Sequence, residues 1–525
     1  MTNLSYDVIV IGGGHNGLTA AAYLARDGLR VAVLERNSFL GGGTHTQELT
    51  LPGFKHDTCS TVHGHIQINP LISKDELGLI SKYGLKYVYP EAFVSAPFLD
   101  GKGLVLYSDP EKTRKSLQKF SKHDAEAYVK FFEWCKRVIP YITPANVLPP
   151  PPLGVLAEEL DRTAEGQELL RVLLMSASDV LDEWFEDDRL KGLICKTITE
   201  IMVNPGQNGT GIFAPYMIYR GSMQAYALPI GGSGALAEKL ALYLKDHGTD
   251  IVTNCFVKKV TIKDGIAKAV EASDGRVFEA KKAVVADVNI KQVPGLVGEE
   301  NLEPEFVRKI QRIKHSRHTG IMVHLALNEA PKYRGGEDGV DSALMVEIVP
   351  NLENLSKRLD DIKYGKMPTA ESACPLMVCA TLWDQSRAPV GKHTLYFHEN
   401  APYELKPGGA AKWDEIKEET ADTMLEKLRE FTTNMGPENI LKRAVESPVD
   451  LERRNISFVR ADQHHISPEL PQYMSLRPIP GLGFKLPVQN LYLCGPSSPS
   501  GGGVTGGGRV AALVLLQDLG LREIE

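Results

Sequence analysis

Tyr6-Asp7-Val8-Ile9-Val10-Ile11 is an almost unbroken apolar, β-branched run, the pattern of a strand covered on both faces in a parallel sheet. The run stops at Gly12-Gly13-Gly14-His15-Asn16-Gly17. Leu18, Ala21, Ala22 and Ala25 then recur at helical spacing, and Gly28 supplies the stop. Arg30-Val31-Ala32-Val33-Leu34 predicts a second buried strand, closed by Glu35. Leu236, Leu240 and Leu244 mark one face of a helix over 235–247, with a strand after it at 250–253. Alternating runs at 257–263, 266–272 and 276–279, separated by Asp264-Gly265 and Asp274-Gly275, predict a meander. Ala283-Val284-Val285-Ala286-Asp287 predicts a return to the first sheet.

Elsewhere the pattern is coarser. Residues 76–224 read as mainly helical, broken at Pro140, Pro144 and Pro149-Pro150-Pro151-Pro152. The apolar stretch after those prolines reads as a core helix on a rigid connection, ahead of a membrane-touching entrance. Residues 301–474 mix strands at 320–327, 375–383 and 394–399 with a charged helix over 413–435.

The N-terminal segment fits G-x-G-x-x-G at Gly12, Gly14 and Gly17, between a strand and a helix. Gly12 permits the tight turn, Gly14 lets backbone approach a pyrophosphate, and Gly17 allows close helix–strand packing. The helix start at His15 and Asn16 offers unpaired N–H groups and the positive dipole end. Glu35 follows Gly17 at the spacing of a carboxylate that takes adenosine ribose hydroxyls. Strand, glycines, helix, strand and acid in this order predict a dinucleotide site.

More glycines follow at Gly41-Gly42-Gly43, with Thr46 just beyond, at Gly231–Gly234, and at Gly501-Gly502-Gly503-Val504 after the strand that ends at Cys494-Gly495. The last run reads as a glycine-led helix start that could approach a flat ring edge. Together with Leu228-Pro229-Ile230-Gly231-Gly232-Ser233-Gly234 and Ser475-Leu476-Arg477-Pro478, these motifs make the sequence resemble the phytoene desaturase-like flavoproteins. That group includes carotenoid desaturases and isomerases, and the branch of pyridine nucleotide-disulfide oxidoreductase domain-containing protein 2. The resemblance covers both ends and the middle of the chain.

It implies an α/β fold: a Rossmann-type FAD-binding domain of the GR2-like flavoprotein kind, interleaved with an α+β substrate-binding domain. The FAD domain is expected from 1–75, 225–300 and 475–525, and the substrate domain from 76–224 and 301–474. The resemblance also implies that Val257 meets the adenine and that Gly495, Gly502, Gly503 and Val504 approach the flavin. The sequence departs from the wider superfamily in lacking an arginine at Gly43-Thr44-His45-Thr46, which leaves Arg36 as the substitute charge near the pyrophosphate.

Composition narrows the reading. The 525 residues carry a net charge of −7, which disfavours non-specific nucleic-acid binding. The seven cysteines are widely spaced with no Cys-x-x-Cys, and no second G-x-G-x-x-G follows a strand, so neither a disulfide reductase nor a structural zinc site is expected. No long apolar run or leader is evident, so a cytoplasmic protein is expected, with peripheral membrane contact and homo-oligomers left open.

Proton-transfer candidates come from Thr58-Cys59-Ser60-Thr61-Val62-His63-Gly64-His65, which the family runs close to the flavin. If this segment is extended, His63 and His65 share a face, and either is a candidate catalytic base or substrate-orienting group. No third ligand has metal spacing, so no metal is expected. Tyr216, Tyr219, Arg220 and Gln224, and Gln463, His464 and His465, are candidate substrate-pocket residues by family analogy.

The sequence-based expectation is an FAD-dependent oxidoreductase that dehydrogenates a largely apolar, terpenoid or alicyclic substrate. Electrons would pass to oxygen, a quinone or another acceptor. A flavin-dependent isomerase without net redox, an amine oxidase and a non-catalytic flavin-binding protein are the alternatives.

Overall fold

The computed structural model describes residues 4–524. Its first sheet is built around the strand Ser5–Ile11, which pairs in parallel with Val31–Leu34 on one side and with Val277–Ala286 on the other. Asp250–Val252 extends the sheet beyond Val31–Leu34, and Leu491–Leu493 pairs with Val284–Ala286. The predicted strands at 276–279 and 283–287 are one ten-residue strand. Its first residues pair antiparallel with Ile266–Ala272, which pairs in turn with Val257–Lys263. One strand therefore joins the meander to the parallel sheet.

Both faces of this sheet are covered, as its apolar runs require. Val8 and Val10 pack with the helices His15–Arg26, Gly234–Asp246 and Gly507–Asp518. Ile9, Ile11 and Leu34 pack on the other face with the meander and with Val293, Phe306 and Ile310.

The second sheet runs in the order Ile440–Glu446, Thr319–Leu327, His393–Ala401, Leu376–Val378, Met345–Glu347, Ala92–Pro97, Gly103–Tyr107. Its last two strands add a hairpin to residues 76–224, which are otherwise mainly helical, as expected. Ala92–Pro97 is buried at every position, so it lacks the alternation that would mark a half-exposed strand. Trp413–Phe431 covers one face of this sheet, with Trp413, Met424 and Leu428 inside. The helices between Lys122 and Ser222 cover the other face, packing Tyr128, Phe131, Leu193 and Ile198 in one apolar block with Val94, Leu104, Met345 and Leu376 of the sheet.

Two further expectations change. The strand predicted at 375–383 keeps only Leu376–Val378 before turning through short 3-10 turns. The C-terminal helix begins at Gly507, so Gly501–Gly503 is a loop ahead of the helix and not its first turn. Among the described residues, no helix is long and apolar enough to cross a membrane.

Candidate functional site

The carboxyl end of the first sheet opens into a cleft of about 330 Å³, within the range of small-molecule and cofactor sites. Gly12, with φ of +99°, turns the chain there; a Cβ on it would come within 2.9 Å of the Asp287 carbonyl oxygen. A Cβ on Gly17 would run into the carbonyl of Gly12, so the helix can sit this close to the turn only with glycine. The helix His15–Arg26 starts at the cleft without a side-chain cap. His15 Nε2 and Asn16 Nδ2 are buried there without a hydrogen-bond partner. The unpaired backbone N–H groups of the first turn and the unpartnered Asn16 side-chain amide, at the positive end of the helix, fit an anionic diphosphate.

Glu35 lies 22 residues from Gly13 in sequence, and its carboxylate accepts the Gly13 N–H at 2.7 Å and the Asn37 N–H at 2.7 Å. Burial raises its pKa against those two hydrogen bonds and Arg36. Arg36 also lines the cleft, but its guanidinium donates to Asn37 Oδ1 and, at 3.1 Å, to the Arg453 carbonyl, beside Glu35. Val257 and Lys258 close this end together with Cys255 and Phe256.

Gly42, Gly43, Gly503 and Val504 line the cleft with Gly12, Gly14, His15 and Asn16, whereas Gly17, Gly41, Thr46, Gly495 and Gly502 do not. Gly41 bridges to Gly14, and Thr46 donates to Asp57 Oδ1 at 2.7 Å while accepting from the Gly234 N–H. Gly495 leaves space filled by Asp287 and His465, and Gly502 leaves space filled by the His464 ring. These residues support the lining and do not form it.

The histidines separate clearly. The chain from Thr61 to Gly64 is irregular, so His63 and His65 do not share a strand face. His63 is fully buried away from the cleft, between Ser233 Oγ at 2.6 Å and Tyr87 Oη at 3.1 Å. His65 lies against Gly503, 3.2 Å from where its Cβ would be. Arg220 Nη1 donates to His65 Nε2 at 3.4 Å, which assigns the ring hydrogen to Nδ1, facing Tyr216 Oη at 3.2 Å. Burial first, and then Arg220, pushes the pKa of His65 well below 6.5. A nitrogen already accepting from a guanidinium is a poor proton acceptor, so this geometry suits orientation.

Gln463, His464 and His465 all line the cleft, whereas Tyr216 and Tyr219 belong to the helical block beside it and Gln224 is exposed. His465 Nδ1 pairs with Ser497 Oγ at 3.2 Å. Neither ring nitrogen of His464 has a hydrogen-bond partner among the described residues, and burial lowers its pKa to about 4. It is a neutral imidazole open to the cleft.

Arg477 explains the local shape. Its buried guanidinium donates to the carbonyls of Pro496 at 2.8 Å, His464 at 2.5 Å, Ile466 at 3.2 Å and Ser467 at 3.3 Å. One planar fork thus stitches the histidine segment to the loop after the last strand.

The sequence reading missed Asp287 as a site residue and missed the wall Asn455-Ile456-Ser457-Phe458. Neither carries a glycine or spacing signal; only the acid closing an apolar strand at Asp287 hinted at a site. Away from the cleft, Lys196 is buried with Glu200 and Glu347, and Glu200 Oε2 pairs with His398 Nδ1 at 2.8 Å. The group His123, Asp124 and Glu186 has metal-like spacing, but the Asp124 carboxylate accepts the N–H groups of Glu186 and Asp187 and acts as a loop brace.

Residues 10–72 match the NAD(P)-binding Rossmann-like domain family. The chain is 30% identical to pyridine nucleotide-disulfide oxidoreductase domain-containing protein 2 of Rattus norvegicus over 98% of its length and 94% of the relative's. It is 27% identical to a limonene dehydrogenase component of Castellaniella defragrans, covering 98% of this chain and 95% of that one. Among solved structures, an oxidoreductase from Methanosarcina mazei shares the fold with a TM-score of 0.62 at 16% identity, over 97% of this chain and 99% of that one. The glycine-lined dinucleotide cleft and full-length similarity agree: the chain belongs to the phytoene desaturase-like flavoprotein oxidoreductase family that includes pyridine nucleotide-disulfide oxidoreductase domain-containing protein 2.

Proposed function

We propose that the cleft holds FAD and that the protein dehydrogenates an apolar, terpenoid-like or alicyclic substrate. The observation that carries this reading is the place where Gly503 meets His65. His65 in turn meets Tyr216, and Tyr216 is part of the large apolar helical cluster. The apolar helical block thereby reaches the Gly503 side of the cofactor cleft through His65, Tyr216 and the buried Arg220.

When bound, FAD supplies a ring that accepts a hydride from the substrate. The protein's own residues do the rest. Glu35 takes the ribose hydroxyls, and the helix start at His15 and Asn16 takes the diphosphate. Gly503 and Val504 leave room for the ring edge. His65, held between Tyr216 and Arg220, orients the substrate. His464, neutral and unpartnered, takes the proton that leaves with the hydride. Phe458 and Cys59 help keep water from the cleft. The name of the limonene dehydrogenase relative supports the substrate class.

The test is an anaerobic spectral titration of purified protein with monoterpenes, cyclic ketones and amines. Bleaching of the flavin band by a monoterpene or alicyclic compound is expected. Bleaching by amines alone, or the lack of a flavin band after FAD is added, would overturn the reading.

A further inference from the structure

Asp287 follows the strand Val277–Ala286, at the point where three glycine segments converge. Its Oδ2 accepts the Gly17 N–H at 3.0 Å, in the first turn of the helix His15–Arg26. A Cβ on Gly14 would lie 2.6 Å from Oδ2, and one on Gly495 would lie 2.5 Å from Oδ1. The carboxyl therefore fills the space those glycines leave, and it lines the cleft. Oδ1 has no hydrogen-bond partner among the described residues.

Among the described residues, no compensating cation stands at that point. The nearest titratable groups are Glu35 across the cleft, Cys494 on the last strand, His465 beside Gly495, and His15 on the helix. Arg36 and Lys258 line the cleft beside Glu35 and Val257, and no ion pair joins either to Asp287. An ionised Asp287 would thus compete with a diphosphate for the same helix N-terminus, whose remaining donors are the backbone N–H groups of His15 and Asn16 and the unpartnered Asn16 side-chain amide.

We propose that Asp287 admits the dinucleotide diphosphate as a neutral carboxylic acid, so that cofactor binding at alkaline pH takes up one proton and weakens as pH rises. The inference rests on the FAD reading above. Burial, with Glu35 adding to it, raises the Asp287 pKa to about 7 against the single Gly17 hydrogen bond, so the change falls in an accessible range. The proton comes from solvent and sits on the Asp287 carboxyl; no bond of the cofactor changes.

The experiment measures FAD affinity of the apoprotein by fluorescence quenching between pH 5.5 and 9. Calorimetry in two buffers of different ionisation enthalpy counts the protons. Wild type should show a constant Kd below about pH 7 and a loss of about tenfold per pH unit above it, with proton uptake approaching one. Asp287→Asn keeps an acceptor for the Gly17 N–H. It should flatten the profile and bind more tightly than wild type at pH 9. Asp287→Ser is a second neutral variant, should the amide fail to fold. Measurable FAD binding with equal Kd at both ends, or the same slope in a neutral variant, would overturn the inference alone. No FAD binding at any pH would overturn the FAD reading instead.

Discussion

Asp57 and Arg387, 330 residues apart in sequence, form a buried ion pair at 2.5 Å that ties the glycine-rich segment after Glu35 to the loop entering the second sheet. The same guanidinium donates to Asp384 Oδ2 at 2.9 Å and to the Pro229 carbonyl at 2.7 Å. Asp57 also accepts from Thr46, Thr61 and the Ser233 N–H. Every charge in the cluster is partnered, which is the condition under which burial of ions is tolerated.

Arg387→Met leaves the Asp57 carboxylate buried with its main partner gone. A loss of about 3–5 kcal/mol in unfolding free energy is expected from denaturant titration. Adding Asp57→Asn should restore part of it. Burial raises the Asp57 pKa, but Arg387 and the hydrogen bonds outweigh this, so the net shift is downward. A carboxylate depressed by folding contributes stability above its unfolded pKa near about 3.9 and loses it as pH falls further. The wild-type advantage over the double variant should therefore fade in acid melts.

The glycine cradle gives a second test. Gly17→Ala puts a methyl into the Gly12 carbonyl, and Gly14→Ala puts one 2.6 Å from Asp287. Both variants should purify without flavin colour while retaining far-ultraviolet circular dichroism. A normally coloured Gly17→Ala protein would contradict the packing described.

His464 and His63 should separate by readout. His464→Gln should keep the flavin spectrum and slow anaerobic flavin reduction by about 10²–10⁴-fold. His63→Gln should leave that rate within a few-fold and instead lower thermal stability, because it unpairs Ser233 and Tyr87.

Asp287 also sets a stability trend in the apoprotein. Its pKa is raised by folding, so between the ordinary carboxylate value and about 7 the folded state holds a proton that the unfolded state releases. Stability from this group falls as pH rises through that window and levels off above it. Melting temperatures of Asp287→Asn should overtake those of wild type between about pH 5 and pH 8 once other titrations, common to both, are subtracted.

Local features were readable from the sequence, and long-range ones were not. The turn at Gly12–Gly17, the strand before it and the helix after it follow from contiguous residues. Glu35 follows from spacing alone. Asp287 meets Gly17 across 270 residues, and the Asn455–Phe458 wall reaches the cleft through the second sheet. No periodicity encodes such contacts. His63 and His65 misled because the two-residue spacing implies a shared face only in a strand, and Thr61–Gly64 is not one. The hairpin Ala92–Tyr107 was lost because full burial removes the alternation that distinguishes strands.

The strand Val277–Ala286 carries a consequence for biosynthesis. It needs Ser5–Ile11 on one edge and Leu491–Leu493 on the other, so the parallel sheet is not closed until Leu491–Leu493 has left the ribosome. Until then its apolar edge is open to other strands. A nascent chain stalled before Leu491 should be a preferred client of holding chaperones, and one released after Asp518 should not.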